Sequence, residues 1–181
     1  MKQQQDKILG EERRDLLLQW LMETDSPITG NDLATKTNVS RQVIVQDISI
    51  LKARNYPILA TSQGYIFIKE QLKVDLHSKV IACKHSPEDT IHELNIIVDH
   101  GGIVKDVVVE HQVYGEITAS LMIRNRKDVK EFISKINSTN ASLLSQLTGG
   151  VHLHTIEART QEELNEICIA LAQAGYLLED N

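Results

Sequence analysis

The sequence predicts an α+β chain in two parts: three helices and a β-hairpin over residues 1–69, then a βαββαβαβ open sandwich over residues 76–181. Three observations predict it. Apolar residues recur at helical spacing through the first fifty positions, short alternating runs bounded by Gly, Pro and Asn appear from Ile58 onward, and capped amphipathic stretches separate the later runs. Helices that cover one side of a mostly antiparallel sheet place the second part in the α+β class.

Ile8, Leu9, Leu16, Leu17, Trp20 and Leu21 give a run of good helix formers one apolar side, which predicts a first helix from Gln3 to Glu23. Asp25-Ser26-Pro27 ends it. Thr29, with Asp32 three residues on, opens a short helix through Leu33, Ala34 and Lys36. Thr37-Asn38-Val39 is a tight turn. Ser40 then caps a third helix that runs to about Ala53 and turns Ile44, Ile48 and Leu51 toward a core.

Two helices joined by so short a turn form a helix-turn-helix. With the core face fixed, Ser40, Arg41, Gln42, Val45 and Gln46 are left on the exposed N-terminal part of the third helix. A recognition helix inserts this part into the major groove, and Arg and Gln suit bidentate contacts with guanine and adenine edges. Ile58-Leu59-Ala60 and Tyr65-Ile66-Phe67-Ile68, joined across Thr61-Ser62-Gln63-Gly64, read as a hairpin, the wing. The same trihelical core also serves protein-interaction modules, which is the alternative for this half.

Lys69 to Asp75 is a charged connector. Lys79 to His85 is a strand, and Ser86-Pro87-Glu88-Asp89 starts a helix, with Ser at the cap, Pro in the first turn and two acids on the positive dipole end. That helix turns Ile91, Leu94, Ile97 and Val98 inward and stops at His100-Gly101-Gly102. Val104 to Val109 and Glu116 to Ile123 are strands. Lys127 to Asn137 is a helix with Val129, Phe132, Ile133 and Ile136 apolar, and a further strand follows Gly149-Gly150. A helix from Thr160 to Ala174 and a strand at Tyr176-Leu177-Leu178 close the series.

Composition narrows the class. Aromatics make up only 4%, so Ile, Leu and Val must build the cores. Cys83 and Cys168 are the only cysteines, the start lacks the layout of a signal peptide, and no apolar run nears the roughly 20 residues that span a bilayer. The expectation is a cytoplasmic protein with free thiols and no membrane partner. The net charge of -6 divides unevenly: residues 1–69 hold nine Lys/Arg against eight Asp/Glu, and residues 70–181 hold ten against seventeen. The acidity belongs to the second part, and a near-neutral first part can still present a basic face to phosphates.

Alternation along Val151-His152-Leu153-His154 puts both histidines on one face of a strand, about 7 Å apart at Cα, which suits two ligands of one divalent ion. Such an H-x-H also describes two solvated side chains. His85 ends the strand before the first helix of this part, and Glu93 lies about one and a half turns beyond that helix start, so both can point toward one end of the sheet. His85, Glu93, His152 and His154 make a set suited to Zn, Ni, Fe or Mn rather than to Ca or Mg. Taken singly, His85 also fits a helix cap and Glu93 a solvated acid. Cys83 shares the strand face of His85 and is either a fifth ligand or a small buried side chain. His100 fits a helix C-terminus, His92 reads as solvent-facing and His77 as a loop residue, while His111 and Tyr114 take either ligand contact or hairpin packing.

Asn38-Val39-Ser40-Arg41-Gln42-Val43-Ile44-Val45-Gln46-Asp47-Ile48 resembles the winged helix-turn-helix of bacterial transcription regulators. The stretches Lys84 to Glu93, Glu110 to Ile117 and Gly149 to Ala158 resemble the three-histidine domain of nicotinate-responsive repressors of NAD biosynthesis. The resemblance implies a DNA-binding domain over 1–69 and a metal- and ligand-binding domain over 76–181. It also implies a divalent transition metal, nickel or zinc foremost, held by His85, Glu93, His152 and His154. Operator DNA, nicotinate as corepressor and a homodimer are the implied partners. Two rival readings are a repressor that senses the metal itself and a metal-dependent hydrolase with a DNA-binding head. The hydrolase lacks an evident general base, since Glu93 is used as a ligand.

Overall fold

A computed structural model describes residues 9–69 and 76–178. The chain divides into two compact units, Met1–Leu72 and Lys73–Asn181. In the first, α1 (Gly10–Glu23), α2 (Gly30–Thr37) and α3 (Arg41–Ala53) precede a hairpin of β1 (Ile58–Thr61) and β2 (Gly64–Phe67). Leu17, Leu21, Leu33, Ile44, Ile48 and Leu51 form its core. The caps lie where the sequence places them: Thr29 Oγ1 accepts from Asp32 N–H at 3.1 Å, and Ser40 Oγ accepts from Val43 N–H at 3.4 Å. Asn38, in the left-handed region at φ 51°, turns the chain between α2 and α3.

The expected start of the first helix, Gln3 to Ile8, lies outside the described residues. Leu9 is not in the apolar stripe; it precedes the helix and is 76% exposed. The hairpin gains a third edge from Ile28, which exchanges backbone hydrogen bonds with Tyr65 at 2.9 and 2.8 Å. Gly64, at φ 139°, permits this, because a Cβ there would collide with the Ile28 carbonyl.

The second unit is α+β. Its elements are β3 (His77–Lys84), α4 (Thr90–Asp99), β4 (Ile103–His111), β5 (Gly115–Ile123), α5 (Arg126–Thr139), β6 (Val151–Ala158) and α6 (Gln161–Gln173). The sheet order is β3-β6-β4-β5, every pair antiparallel. Burial alternates along β6: His152, His154, Ile156 and Ala158 are buried, and Val151, Leu153, Thr155 and Glu157 are not. The core joins Ile81, Leu94, Ile97, Val104, Ile123, Ile156, Leu164, Ile167 and Leu171.

Four expectations need correction. Tyr176 to Leu178 is not a strand but a single bridge, Leu177 to Cys83, flanked by Lys84 N–H to Tyr176 O and Leu178 N–H to Ala82 O, both 2.8 Å. Three residues cannot carry a ladder further along the edge of β3. Ile91 is 46% exposed, because a 3-10 turn over Pro87–Asp89 precedes α4 and shifts the face it presents. That turn is also why Ser86 makes no side-chain cap; its hydroxyl donates to Asp89 Oδ2 at 2.8 Å. His77 is the first residue of β3 rather than a loop residue.

Candidate functional site

Glu93, 1% exposed on α4, is the centre of the second unit. His85 Nε2 lies 2.8 Å from its Oε2, His152 Nε2 3.2 Å from Oε1, and His154 Nε2 3.4 Å from Oε2. The four residues named from the sequence thus meet at one point. The fold delivers them from three places: the end of β3, one turn into α4, and two alternate positions of β6. Gly150, at φ 95°, lets β6 start against His85, since a Cβ there would press into the His85 carbonyl oxygen.

The outer nitrogens decide what the centre needs. His85 Nδ1 faces Ser86 O at 2.7 Å, His152 Nδ1 faces Gly150 O at 2.9 Å, and His154 Nδ1 faces Asp106 O at 2.7 Å. A carbonyl only accepts, so each Nδ1 carries a proton and each neutral ring turns a bare Nε2 lone pair inward. Three lone pairs around a carboxylate repel one another unless positive charge lies among them. Three buried imidazolium ions are a costly way to supply it, and one divalent cation is a compact one. Carbonyl partners on the far nitrogens are also the usual means of orienting metal-bound histidines. The donor set fits a transition metal of nitrogen and oxygen preference.

The ionisation of the site agrees. Burial alone lifts a carboxyl, yet His152, His154 and His85 outweigh it and hold Glu93 well below the usual carboxylate range. Burial alone lowers an imidazole, yet the Glu93 carboxylate raises both His85 and His154. The site draws positive charge. Cys83, the register partner of His152, has its thiol within 4.8 Å of ligand atoms of Glu93 and His152. Burial, then Glu93, pushes that thiol up, so it stays protonated beside the carboxylate.

Above the centre lies a cavity of about 210 Å³. His85, Glu93, His152 and His154 line one part of it, and Leu94, Val107, Leu121, Phe132, Ile136 and Leu143 line another. In the first unit, Ser40, Arg41, Gln42, Val45 and Gln46 are all exposed on or beside the first turns of α3. Ser40 also spends its hydroxyl on the cap.

An HTH domain matches residues 13–66 and a 3H domain matches residues 78–180. The transcription repressor NadR of Bacillus subtilis (strain 168) is 55% identical over 175 residues, covering 96% of this chain and 97% of that protein. The probable transcription repressor NiaR of Thermotoga maritima is 38% identical over 174 residues, covering 96% and 98%. The chain belongs to the 3H-domain transcription repressors. The HTH match precedes the 3H match, and the four converging residues all fall inside the 3H match.

The other histidines separate cleanly from the centre of the 3H domain. His100 caps α4, its Nδ1–H donating to Ile96 O at 2.8 Å. His111 Nδ1 accepts from Val113 and Tyr114 N–H, which is hairpin packing. His92 is exposed, as expected, and its Nδ1 also meets Tyr176 Oη at 2.8 Å. Three participants escaped the sequence reading. Asp106 supplies the carbonyl for His154 at an irregularity in the β4 register, which no residue pattern announces. Tyr176 sets its ring edge-on to His85, 5.2 Å between centroids. Asp47, three residues after Ile44 on the core side of α3, is buried with Arg13 and Arg14, and its spacing alone pointed inward.

Proposed function

We propose that this chain represses genes of NAD synthesis and salvage, with nicotinate as corepressor and a divalent transition metal in the 3H domain. The observation that carries the reading is the inward convergence of three Nε2 lone pairs on Glu93 beneath an apolar cavity. His85, Glu93, His152 and His154 hold the metal, with nickel or zinc foremost. Bound there, the ion supplies a positive charge at the floor of the cavity. In an acidic domain that charge is the favourable place for a carboxylate, and the apolar walls accept a flat ring.

Residues 1–69 read DNA, Arg41, Gln42 and Gln46 at base edges and Ser40 and Val45 beside them. The protein acts as a cytoplasmic homodimer: the ligand favours the dimer geometry whose two recognition helices match adjacent major grooves. The names of the relatives support a regulator rather than an enzyme.

Calorimetry with nicotinate and nicotinamide on chelator-treated and metal-loaded protein tests the reading. Nicotinate is expected to bind only the loaded form, and nicotinamide, without the charge, far more weakly. Promoter fragments of NAD-synthesis genes are expected to tighten nicotinate binding by the factor by which nicotinate tightens theirs. Equal nicotinate affinity with and without metal removes the metal from ligand recognition. DNA binding that responds to metal alone makes this a metal sensor.

A further inference from the structure

Thr90 lines the cavity, is 7% exposed, and its Oγ1 has no hydrogen-bond partner among the described residues. A buried hydroxyl left without a partner destabilises the protein that holds it. Thr90 begins α4 and stands three residues before Glu93, so the two share one helix face, with Cβ atoms about 5–6 Å apart. The wall of the same cavity also carries Leu94, Phe132 and Leu143, with Ser142 and Ser145. This cavity therefore offers one end for negative charge, an apolar middle and, at Thr90, a buried hydroxyl without a partner among the described residues.

We infer that Thr90 sets ligand specificity by donating its hydroxyl proton to the ring nitrogen of a bound pyridine carboxylate. The inference rests on the nicotinate reading above and adds the residue that distinguishes a pyridine from a benzene ring. A carboxylate bound at the His85–Glu93–His152–His154 centre has its charge answered there. The unprotonated ring nitrogen is then the remaining polar atom, and in an apolar wall it needs a donor. Thr90 is that donor, and one hydrogen bond satisfies both orphans at once.

Calorimetry on the metal-loaded full chain tests this, with nicotinate and benzoate as probes on the natural protein, Thr90→Val and Thr90→Ser. Thr90→Val keeps the shape and removes the hydroxyl; it is expected to weaken nicotinate about tenfold and leave benzoate within about twofold. Thr90→Ser is expected to retain nicotinate binding. Ligand-free Thr90→Val is expected to melt at or above the natural protein, since an unpaired buried hydroxyl is gone; a lower melting point argues that the hydroxyl already serves the fold. Unchanged nicotinate affinity in Thr90→Val overturns the inference and leaves the nicotinate reading standing. Equal loss of nicotinate and benzoate assigns Thr90 to the carboxylate or to cavity shape, and also overturns it. A natural protein that binds no nicotinate overturns the reading beneath, and the inference with it.

Discussion

Each unit of this repressor buries one carboxylate on a helix, and the two are compensated in opposite ways. Asp47 on α3, 2% exposed, takes hydrogen bonds from Arg13 Nε at 2.6 Å and Arg14 Nη1 at 3.0 Å. Glu93 on α4, 1% exposed, takes three imidazoles. A guanidinium is charged at every physiological pH, so the head carries its compensation permanently. An imidazole is charged only when protonated, so the 3H domain's compensation depends on what occupies the centre. The same kind of acid is thereby a fixed strut in one unit and a conditional one in the other.

The largest break of that contrast is at the conditional end. His154→Ala is expected to abolish stoichiometric metal binding at neutral pH, read by elemental analysis of dialysed protein. In the natural protein, bound metal should fall away as pH drops. Metal binding needs neutral rings, and Glu93, held far down, stays ionised, so the histidines are the groups that protons claim. Because Glu93 raises His85 and His154, the apparent metal affinity should begin to fall above the ordinary imidazole range. Full metal content in His154→Ala would place the ion elsewhere.

The fixed end should break differently. Asp47→Ala leaves Arg13, 6% exposed, without its carboxylate, and is expected to cost about 3–5 kcal/mol in urea unfolding of the head, independent of metal. A metal-dependent loss would erase the distinction between the units. The smallest effect is at the surface. Arg54, then Arg14, hold the exposed Glu11 carboxyl down at about 2. A depressed carboxyl contributes above its unfolded value and loses that contribution as pH falls toward 2. Glu11→Gln should therefore slightly flatten the acid limb of head unfolding between about pH 4.5 and 2, and an unaltered limb would show that solvent screens the pair.

Legibility followed how local each cause is. Thr29, Ser40 and Thr160 cap helices through neighbours three residues on, and those helix starts were readable. Alternation along β6 was readable too, and it put His152 and His154 on one face. The meeting of His85 and Glu93 with that pair came from resemblance, since the residue pattern left each with a bland alternative. What stayed hidden depends on distant parts of the chain: the carbonyl that Asp106 offers across strands, the edge-on ring of Tyr176, and the two arginines of another helix that meet Asp47. Tyr176, Leu177 and Leu178 looked like a strand because they are apolar, but three residues make only one bridge with the edge of β3.

The strand order gives the repressor a birth order. Among the described residues the head's core is drawn from residues 17–67, so that unit can close while the ribosome is still adding the rest. The strand β3 must wait: its neighbour in the sheet is β6, more than sixty residues later, and among the described residues its other edge is met by Tyr176 to Leu178. His85, at the end of β3, cannot find Glu93, His152 and Tyr176 together until the chain has been made as far as Tyr176. A chain interrupted before β6 would carry a finished DNA-reading head and an unfinished centre, so completion of the four-residue site requires synthesis through His154.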